Sequence, residues 1–242
     1  MNTTIENKPS KQGLTFGHVL WMFLGAIGGI GAAYYLLPIW QPGISASIIG
    51  TDVKMFWFLS RASAIIAYIF LWLSMMMGLM FTTRMGKLWP GLAITSEMHK
   101  FVSLLGIGFA VFHGLILMGD SYLQPTLGQV LLPFNNFPYR PEMVIWGQFA
   151  LIFWAILIGS FYIRKLIGRK TWRVLHFTSF LMFLFAMIHG IGSGTDTGTT
   201  AMQAVYWTSA GSVLFMILYR IFTALLGDDP IVSSGKDVIS EK

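Results

Sequence analysis

Apolar residues of this chain occur in six long runs, separated by shorter segments that are polar or rich in proline and glycine. The runs cover residues 18–40, 56–81, 97–119, 143–163, 172–192 and 201–226. A helix that crosses the roughly 30 Å of hydrocarbon in a bilayer needs about 20 apolar residues, and each run reaches that length. The pattern therefore predicts an all-α membrane protein with six transmembrane helices, numbered here as predicted spans one to six.

The segments around these runs complete the predicted domain organisation. Residues 1–17 are polar and lack the small-residue cleavage site of a signal peptide, so we expect an uncleaved cytoplasmic tail. Residues 18–55 are expected to form the first span and an outer loop, residues 56–226 the membrane core, and residues 227–242 a second cytoplasmic tail. The segment 120–142 is rich in proline and has no helical period, which predicts a long loop folded on the outer surface.

Composition supports the membrane class. Of the 242 residues, 55% are hydrophobic and 11% are charged, against the roughly 25% charge of an average soluble domain. The absence of cysteine excludes disulfides, thiolate-bound metals, iron–sulfur clusters and covalently attached c-type haem. The net charge of +6 is interpreted by the side of the membrane on which the charges lie, and does not indicate nucleic-acid binding.

The basic residues predict the orientation of the chain. Six spans place both termini on the same side of the membrane. If the N terminus is cytoplasmic, then of the 16 lysines and arginines only Lys54, Arg61 and Arg140 fall outside. This positive-inside bias predicts cytoplasmic N and C termini. Predicted spans three and five then run in the same direction, towards the outside.

Histidines mark spans three and five as the candidate functional helices. His99 and His113 lie near the start and end of span three, and His176 and His189 lie near the start and end of span five. The two spans even share a pattern, Phe-Ala-Val-Phe-His-Gly ending span three and Phe-Ala-Met-Ile-His-Gly ending span five. Ionisable side chains within a bilayer are costly and are retained chiefly for function. We expect His99 and His176 to share the inner leaflet, and His113 and His189 the outer one.

Two imidazoles that face each other at one depth can supply both axial ligands of a haem iron, an arrangement that favours electron transfer. Two such pairs predict two haems, about 20 Å apart along the helix axis at about 1.5 Å per residue. Hydrogen-bonded packing histidines and a proton relay are the alternatives. Zinc is disfavoured because structural zinc sites need four ligands at one place, whereas these histidines are divided between two leaflets.

Helix geometry raises a difficulty for span five. His113 lies fourteen residues after His99, which at about 100° per residue returns it to within about 40° of the same face. His189 lies thirteen residues after His176, which leaves it about 140° around a straight helix. The fifth helix must therefore be tightened, bent or tilted, and Gly190 and Gly192 are candidate positions for the distortion.

Four cations are candidate partners for haem propionates, from their depth and sign alone. Arg61 and Arg140 are expected at the outer site, and Lys100 and Arg173 at the inner one. Arg61 lies about 7 Å inside its span by helix rise, and guanidinium geometry suits a buried anion. Snorkelling of Arg61 to the headgroups is the alternative.

Residues 56–226 resemble the ferric reductase-like transmembrane domain, which is shared by ferric reductases, NADPH oxidases and the haem membrane subunit of bacterial periplasmic methionine sulfoxide reductase. The resemblance rests on His99, His113, His176 and His189 in that order. Supporting stretches are Ser-Arg-Ala-Ser at 60–63, Leu-Pro-Phe at 132–134, Tyr-Arg-Pro at 139–141, Trp-Arg-Val-Leu-His at 172–176, and His189-Gly190 leading to Gly-Thr-Asp at 194–196. The resemblance implies that the four histidines ligate two b-type haems, inner with inner and outer with outer.

The chain also departs from that family. Eukaryotic ferric reductases and NADPH oxidases carry a flavin and nicotinamide domain after the last span, whereas a short polar tail follows residue 226 here. No glycine-rich dinucleotide fingerprint in a strand–helix setting is present in the sequence. Electrons are therefore expected to come from a separate protein or from membrane quinol.

The sequence thus predicts a di-haem b-type cytochrome of a bacterial plasma membrane, relaying electrons as the membrane subunit of a hetero-complex. A quinol-oxidising subunit with one functional haem is an alternative. A haem-free proton-relay or transport protein, and a structural membrane subunit, also remain open.

Overall fold

The structure is a computed structural model that describes residues 54–81 and 91–225, together with helical positions between Leu24 and Ile39. The chain divides into two units, Met1–Val53 and Lys54–Lys242, and the site described below lies within the second. The predicted tails, most of the first span and the loop that follows it lie outside the described residues, as does His18.

All regular elements of the second unit in its described residues are helices. We label them α1 to α8: Met55–Met80, Leu92–Ile116, Leu127–Leu131, Pro141–Tyr162, Arg164–Ile167, Arg169–Phe177, Ser179–Ser193 and Thr200–Leu225. A 3₁₀ turn, Leu117–Gly119, extends α2. Predicted spans two to six correspond to α1, α2, α4, α6 with α7, and α8. The predicted all-helical class is therefore confirmed for the described residues.

Five helical stretches of the described chain are long and apolar enough to cross a membrane. Large apolar side chains such as Phe101, Leu214 and Phe215 are exposed on their outer surfaces. Apolar surface of this extent is unfavourable in water and favourable in lipid. The described helices thus suit a bilayer environment.

The helices pack in two main pairs, α1 with α2 and α4 with α7, and α8 packs against α1. One buried apolar cluster joins four of them through residues such as Leu71 of α1, Trp154 of α4, Phe183 of α7 and Met216 of α8. Side-chain hydrogen bonds add specificity, since Tyr68 Oη lies 2.7 Å from Ser209 Oγ. Helix α2 packs on this core through the partly buried residues Ile107 and Ala110.

The fifth predicted span is interrupted at Thr178, which separates α6 from α7. The Thr178 N–H donates to the Leu175 carbonyl at 3.0 Å, and the Thr178 hydroxyl donates to the same oxygen at 2.8 Å. A bond to the third residue back is the 3₁₀ pattern, which turns the chain more per residue than an α-helix does. The distortion that the histidine spacing required is therefore located at Thr178, while Gly190 and Gly192 remain helical within α7.

The segment 120–140 corrects the prediction of a loop without helix. It contains the short helix α3, which begins with a capping box between Thr126 and Gln129. Four apolar residues of this region and of the preceding turn are buried as a cluster: Leu117, Leu123, Val130 and Phe137. The segment is thus a folded cover over one end of the bundle. Burial of its scattered apolar residues, without helical periodicity, explains why sequence patterning missed this order.

Candidate functional site

The structure brings the four candidate histidines together as two pairs. The ring centres of His99 and His176 are 6.2 Å apart, with their planes at 72°. The ring centres of His113 and His189 are 6.1 Å apart, with their planes at 63°. Because the earlier histidine of α2 meets the earlier one of α6–α7, and the later meets the later, the two helical segments run in the same direction.

Two serines of α1 orient the histidines of α2. The Nδ1 atom of His113 lies 2.8 Å from the Ser60 carbonyl oxygen, and Nδ1 of His99 lies 2.9 Å from the Ser74 carbonyl oxygen. A carbonyl only accepts hydrogen bonds, so Nδ1 is the protonated nitrogen in both rings. In a neutral imidazole the lone pair then lies on Nε2, which is the tautomer that a metal ligand requires.

The hydroxyl groups of these serines reinforce the same arrangement. Ser60 Oγ donates to the His113 carbonyl at 3.0 Å, and lies 2.8 Å from His113 Nδ1. Ser74 Oγ lies 2.6 Å from Ser103 Oγ, and Ser103 Oγ donates to the His99 carbonyl at 2.6 Å. Ser60 and Ser74 are both buried. Each histidine of α2 is thus held through its ring and through its backbone.

His189 is oriented from α4. Its Nδ1 atom donates to the Met143 carbonyl at 3.0 Å, which again leaves the lone pair on Nε2. Gly147 lies one turn further along α4, directly against the ring: a Cβ atom placed there would be 2.7 Å from His189 Cγ and Nδ1. Only glycine allows α4 to approach the imidazole this closely.

His176 is held differently from the other three. Its ring stacks on Trp172 one turn earlier in α6, with ring centres 5.0 Å apart and planes at 24°. Among the described residues no hydrogen bond to its Nδ1 is formed. Its tautomer is therefore set by packing less firmly than that of its partner, His99.

The spacing of both pairs fits two imidazoles bound to opposite sides of one metal ion. A metal–nitrogen bond is about 2.0 Å, and an imidazole nitrogen lies about 1.1 Å from the centre of its ring by ordinary covalent geometry. Counting both sides, ring centres about 6.2 Å apart are expected for a linear arrangement. The observed 6.2 and 6.1 Å are compatible with that value, and they also lie in the ordinary range of about 4.5–7 Å for two packed aromatic rings.

A cavity of about 220 Å³ lies beside the His113–His189 pair, and both rings line it. Most of its walls are apolar, including Leu71 of α1, Trp154 of α4 and Phe137 of the folded cover. This volume is far larger than the roughly 30 Å³ of one water molecule. The residues present therefore fit a multi-atom apolar group with a metal at the histidines, such as a haem.

The two cations predicted for the outer site lie at this end of the bundle. Arg61 lines the cavity and forms a two-point ion pair with Asp196, which follows α7; the Nε–Oδ2 distance is 2.8 Å. The two side chains are 33% and 27% exposed. Arg140 does not line the cavity; it donates to the Gly192 carbonyl at 2.5 Å.

The two cations predicted for the inner site are not brought to the His99–His176 rings by any contact in the described residues. Lys100 pairs with Glu97 on its own helix at 2.6 Å, and lies 5.9 Å from the centre of the Phe161 ring. Arg173 is exposed on α6. Their role as propionate partners stays a prediction.

Several functional candidates escaped sequence reasoning. Ser60 is part of a quoted stretch, but its carbonyl contact depends on the packing of α1 against α2, which residue type does not reveal. Ser74 lies fourteen residues after Ser60, the same interval that separates His99 from His113. That matched interval on adjacent helices was a readable signal. Gly147 had none, because an isolated glycine in an apolar helix is common.

A family model described as "Domain of unknown function (DUF8596)" matches residues 55–196, which is more than half of the chain. The matched range includes all four histidines, both serines and the Arg61–Asp196 pair. No curated protein matches, and no solved structure matches. Among the described residues, no group of three or more histidine, cysteine, aspartate or glutamate side chains is placed to hold a metal ion.

Proposed function

We propose that this chain, which belongs to the DUF8596 family, is a di-haem b-type cytochrome that relays electrons across a membrane. The proposal rests on two pairs of imidazoles carried by two co-directional helices. Within each pair the ring centres are about 6 Å apart. His99 and His176 would hold the inner haem, and His113 and His189 the outer one. The resemblance of residues 56–226 to the ferric reductase-like transmembrane domain supports the same assignment.

A haem held by these imidazole pairs would supply one-electron oxidation and reduction of its iron. The chain's own residues serve that chemistry in three ways. The Ser60, Ser74 and Met143 carbonyls fix the protonated nitrogen on Nδ1. A hydrogen bond from Nδ1 to a carbonyl orients a metal-binding imidazole and raises its basicity.

The surroundings of the His113–His189 pair serve the electron transfer in two further ways. The cavity walls are mostly apolar, and electrostatic interactions are stronger in apolar surroundings than in water. Arg61 supplies a positive charge at the cavity wall, partly balanced by Asp196. Removal of either charge is therefore expected to shift the redox potential of the outer site.

The proposal includes six transmembrane helices with both termini in the cytoplasm, following the positive-inside bias of the sequence. In this orientation His99 and His176 face the cytoplasmic side, and the folded cover faces outwards. A bacterial plasma membrane is the proposed location. The partners would be an electron-donor protein or quinol on one side and an acceptor on the other, in a hetero-complex.

One observation favours a second candidate, a quinol-oxidising subunit with a single haem. The cavity is lined by His113 and His189 and not by the inner pair, and His176 lacks the Nδ1 contact that its three counterparts make in the described chain. Under this candidate only the outer pair would bind haem. The two candidates predict different haem contents.

The relay can be tested in sealed vesicles. The purified chain, loaded with haem, is reconstituted with ferricyanide trapped inside, and dithionite is added outside. Electrons taken from dithionite should reduce the trapped ferricyanide to ferrocyanide, which is followed by loss of its absorbance. His113→Ala should abolish this reduction and leave about half of the haem, whereas His18→Ala, which changes the remaining histidine of the chain, should leave both unchanged. Reduction at equal rates in vesicles with the His113→Ala chain would overturn the proposal.

A further inference from the structure

A second pocket lies between α5 and the first turn of α6, and it shares no lining residue with the cavity at the outer histidines. It has a volume of about 420 Å³ and is lined by Arg164, Lys165, Gly168, Arg169 and Trp172. Three of these residues are cationic and exposed, and no acidic residue is among them. The pocket thus presents concentrated positive charge to its surroundings.

Trp172 provides the pocket with an unpaired hydrogen-bond donor. Its Nε1 atom is buried and has no hydrogen-bond acceptor in the described part of the chain. An indole nitrogen only donates hydrogen bonds, and buried donors without partners are rare because they are costly. What the site lacks is therefore an oxygen atom, and the surrounding cations favour an oxygen that carries negative charge.

The local backbone suits an anion as well. Gly168 has φ +81° and precedes the first turn of α6, where peptide N–H groups point out of the helix and a partial positive charge accumulates. The guanidinium carbon of Arg164 lies 4.1 Å from the centre of the Phe161 ring, a cation–π contact that holds this side chain near the pocket. The backbone geometry and the positive charge of the pocket thus both favour an anion.

The position of the pocket indicates the source of the anion. It lies where two membrane-length helical stretches, Pro141–Tyr162 and Arg169–Ser193, approach each other at their ends. Leu166, within the short helix between them, is 86% exposed, and Tyr162 is 69% exposed. Exposed apolar side chains beside several cations are typical of a segment that lies in the membrane interface and contacts anionic lipid.

We infer that this pocket binds the phosphate group of an anionic phospholipid. Trp172 Nε1 donates a hydrogen bond to a phosphate oxygen, and the guanidinium groups of Arg164 and Arg169 pair with the anionic oxygens. Leu166 lies against the acyl chains. Trp172 also stacks on His176 of the inner pair, so the variant of Arg169, which lines the pocket, separates lipid binding from haem binding.

The test uses the full-length chain, purified in detergent and stripped of lipid. Binding of dioleoyl-phosphatidylglycerol is measured by native mass spectrometry, with dioleoyl-phosphatidylcholine as the neutral comparison. Trp172→Phe removes the N–H donor and keeps an aromatic ring for stacking, and Arg169→Gln removes one cation. Each should weaken phosphatidylglycerol binding about tenfold, as expected for a hydrogen bond to a charged group, and leave phosphatidylcholine binding unchanged.

Lys170→Gln is the matched control, because Lys170 is an exposed cation of the same helix that does not line the pocket. It should bind phosphatidylglycerol as the unmodified chain does. Unchanged binding in both Trp172→Phe and Arg169→Gln would overturn the inference. Equal weakening by Lys170→Gln would also overturn it, since this would indicate diffuse attraction. Displacement of the lipid by an equal concentration of inorganic phosphate would contradict the lipid as the source. A normal circular dichroism spectrum of each variant verifies that it is folded.

Discussion

Replacing Gly147 by alanine should displace His189 and remove the outer haem selectively. The added Cβ would lie 2.7 Å from Cγ and Nδ1 of the imidazole, whereas ordinary contacts to a Cβ begin near 3.4 Å. The ring or α4 must therefore move by about 0.7 Å. His189 also donates to the Met143 carbonyl on the same helix, so movement of the ring away from α4 weakens that bond.

The size of this displacement decides the outcome. Metal–ligand distances in a functional site are maintained to within about 0.2 Å, and a shift of about 0.7 Å exceeds that tolerance. Loss of the Nδ1 bond adds about 0.5–1.5 kcal/mol of unfavourable free energy. We therefore expect Gly147→Ala to lose about half of the haem of the loaded protein, while the His99–His176 pair, at the other end of α2, keeps its own.

Haem content per chain, measured as the pyridine haemochrome, is the assay. Gly159→Ala is the matched control, because Gly159 is in the same helix and a Cβ there meets nothing within 4 Å. Both substitutions improve helix propensity by about 1 kcal/mol, so a loss confined to Gly147→Ala reflects the contact with His189. Full haem content in Gly147→Ala would show that the contact between Gly147 and His189 does not control haem binding.

Two further predictions concern stability, measured by denaturant unfolding in a fixed detergent. Arg61→Gln leaves the Asp196 carboxylate unpaired and should lower the free energy of unfolding. The expected loss lies between about 1 kcal/mol, as for an exposed pair, and about 3 kcal/mol, as for a buried one. Adding Asp196→Asn should restore part of this loss, and additive losses in the double variant would contradict the ion pair. Tyr68→Phe removes the buried hydroxyl contact with Ser209 and should cost about 1 kcal/mol, whereas Tyr162→Phe, at an exposed position, should cost nothing measurable.

Helix existence was predictable from the sequence because a membrane-length apolar run carries a strong signal. Predicted spans two to six each correspond to a helical stretch of the described chain. The pairing of His99 with His176 was predictable for a related reason. Matched depth on two co-directional helices follows from helix rise and charge bias alone, with no knowledge of packing.

The sequence predicts that the fifth span is distorted, but it does not predict that the distortion lies at Thr178. The thirteen-residue interval between His176 and His189 requires a distortion, and glycines appeared the natural positions for one. The structure uses a threonine whose hydroxyl and N–H both bond to the Leu175 carbonyl. Threonine makes such a bond within many regular helices, so its presence does not mark a break.

The hydrogen bonds that orient the histidines were the least predictable part of the site. Three histidines bond to backbone carbonyls, and a carbonyl is present at every position of the chain. Which carbonyl faces a ring depends on the rotation of α1 and α4 about their axes. The capping box at Thr126 and Gln129 differs, because its spacing is a readable signal of a helix start; the helix that it begins was still not predicted, since the proline-rich segment has no helical period.

The central claim is that each histidine pair holds one low-spin haem. Its most direct test is the haem stoichiometry of the fully loaded chain, combined with the electron paramagnetic resonance spectrum of the oxidised protein. Two b-type haems per chain are expected, both with the low-spin signals of iron bound by two imidazoles, and one of them is expected to be lost in His176→Ala. A fully loaded chain with no haem, or with haem whose signals persist unchanged in His99→Ala and His113→Ala, would contradict it.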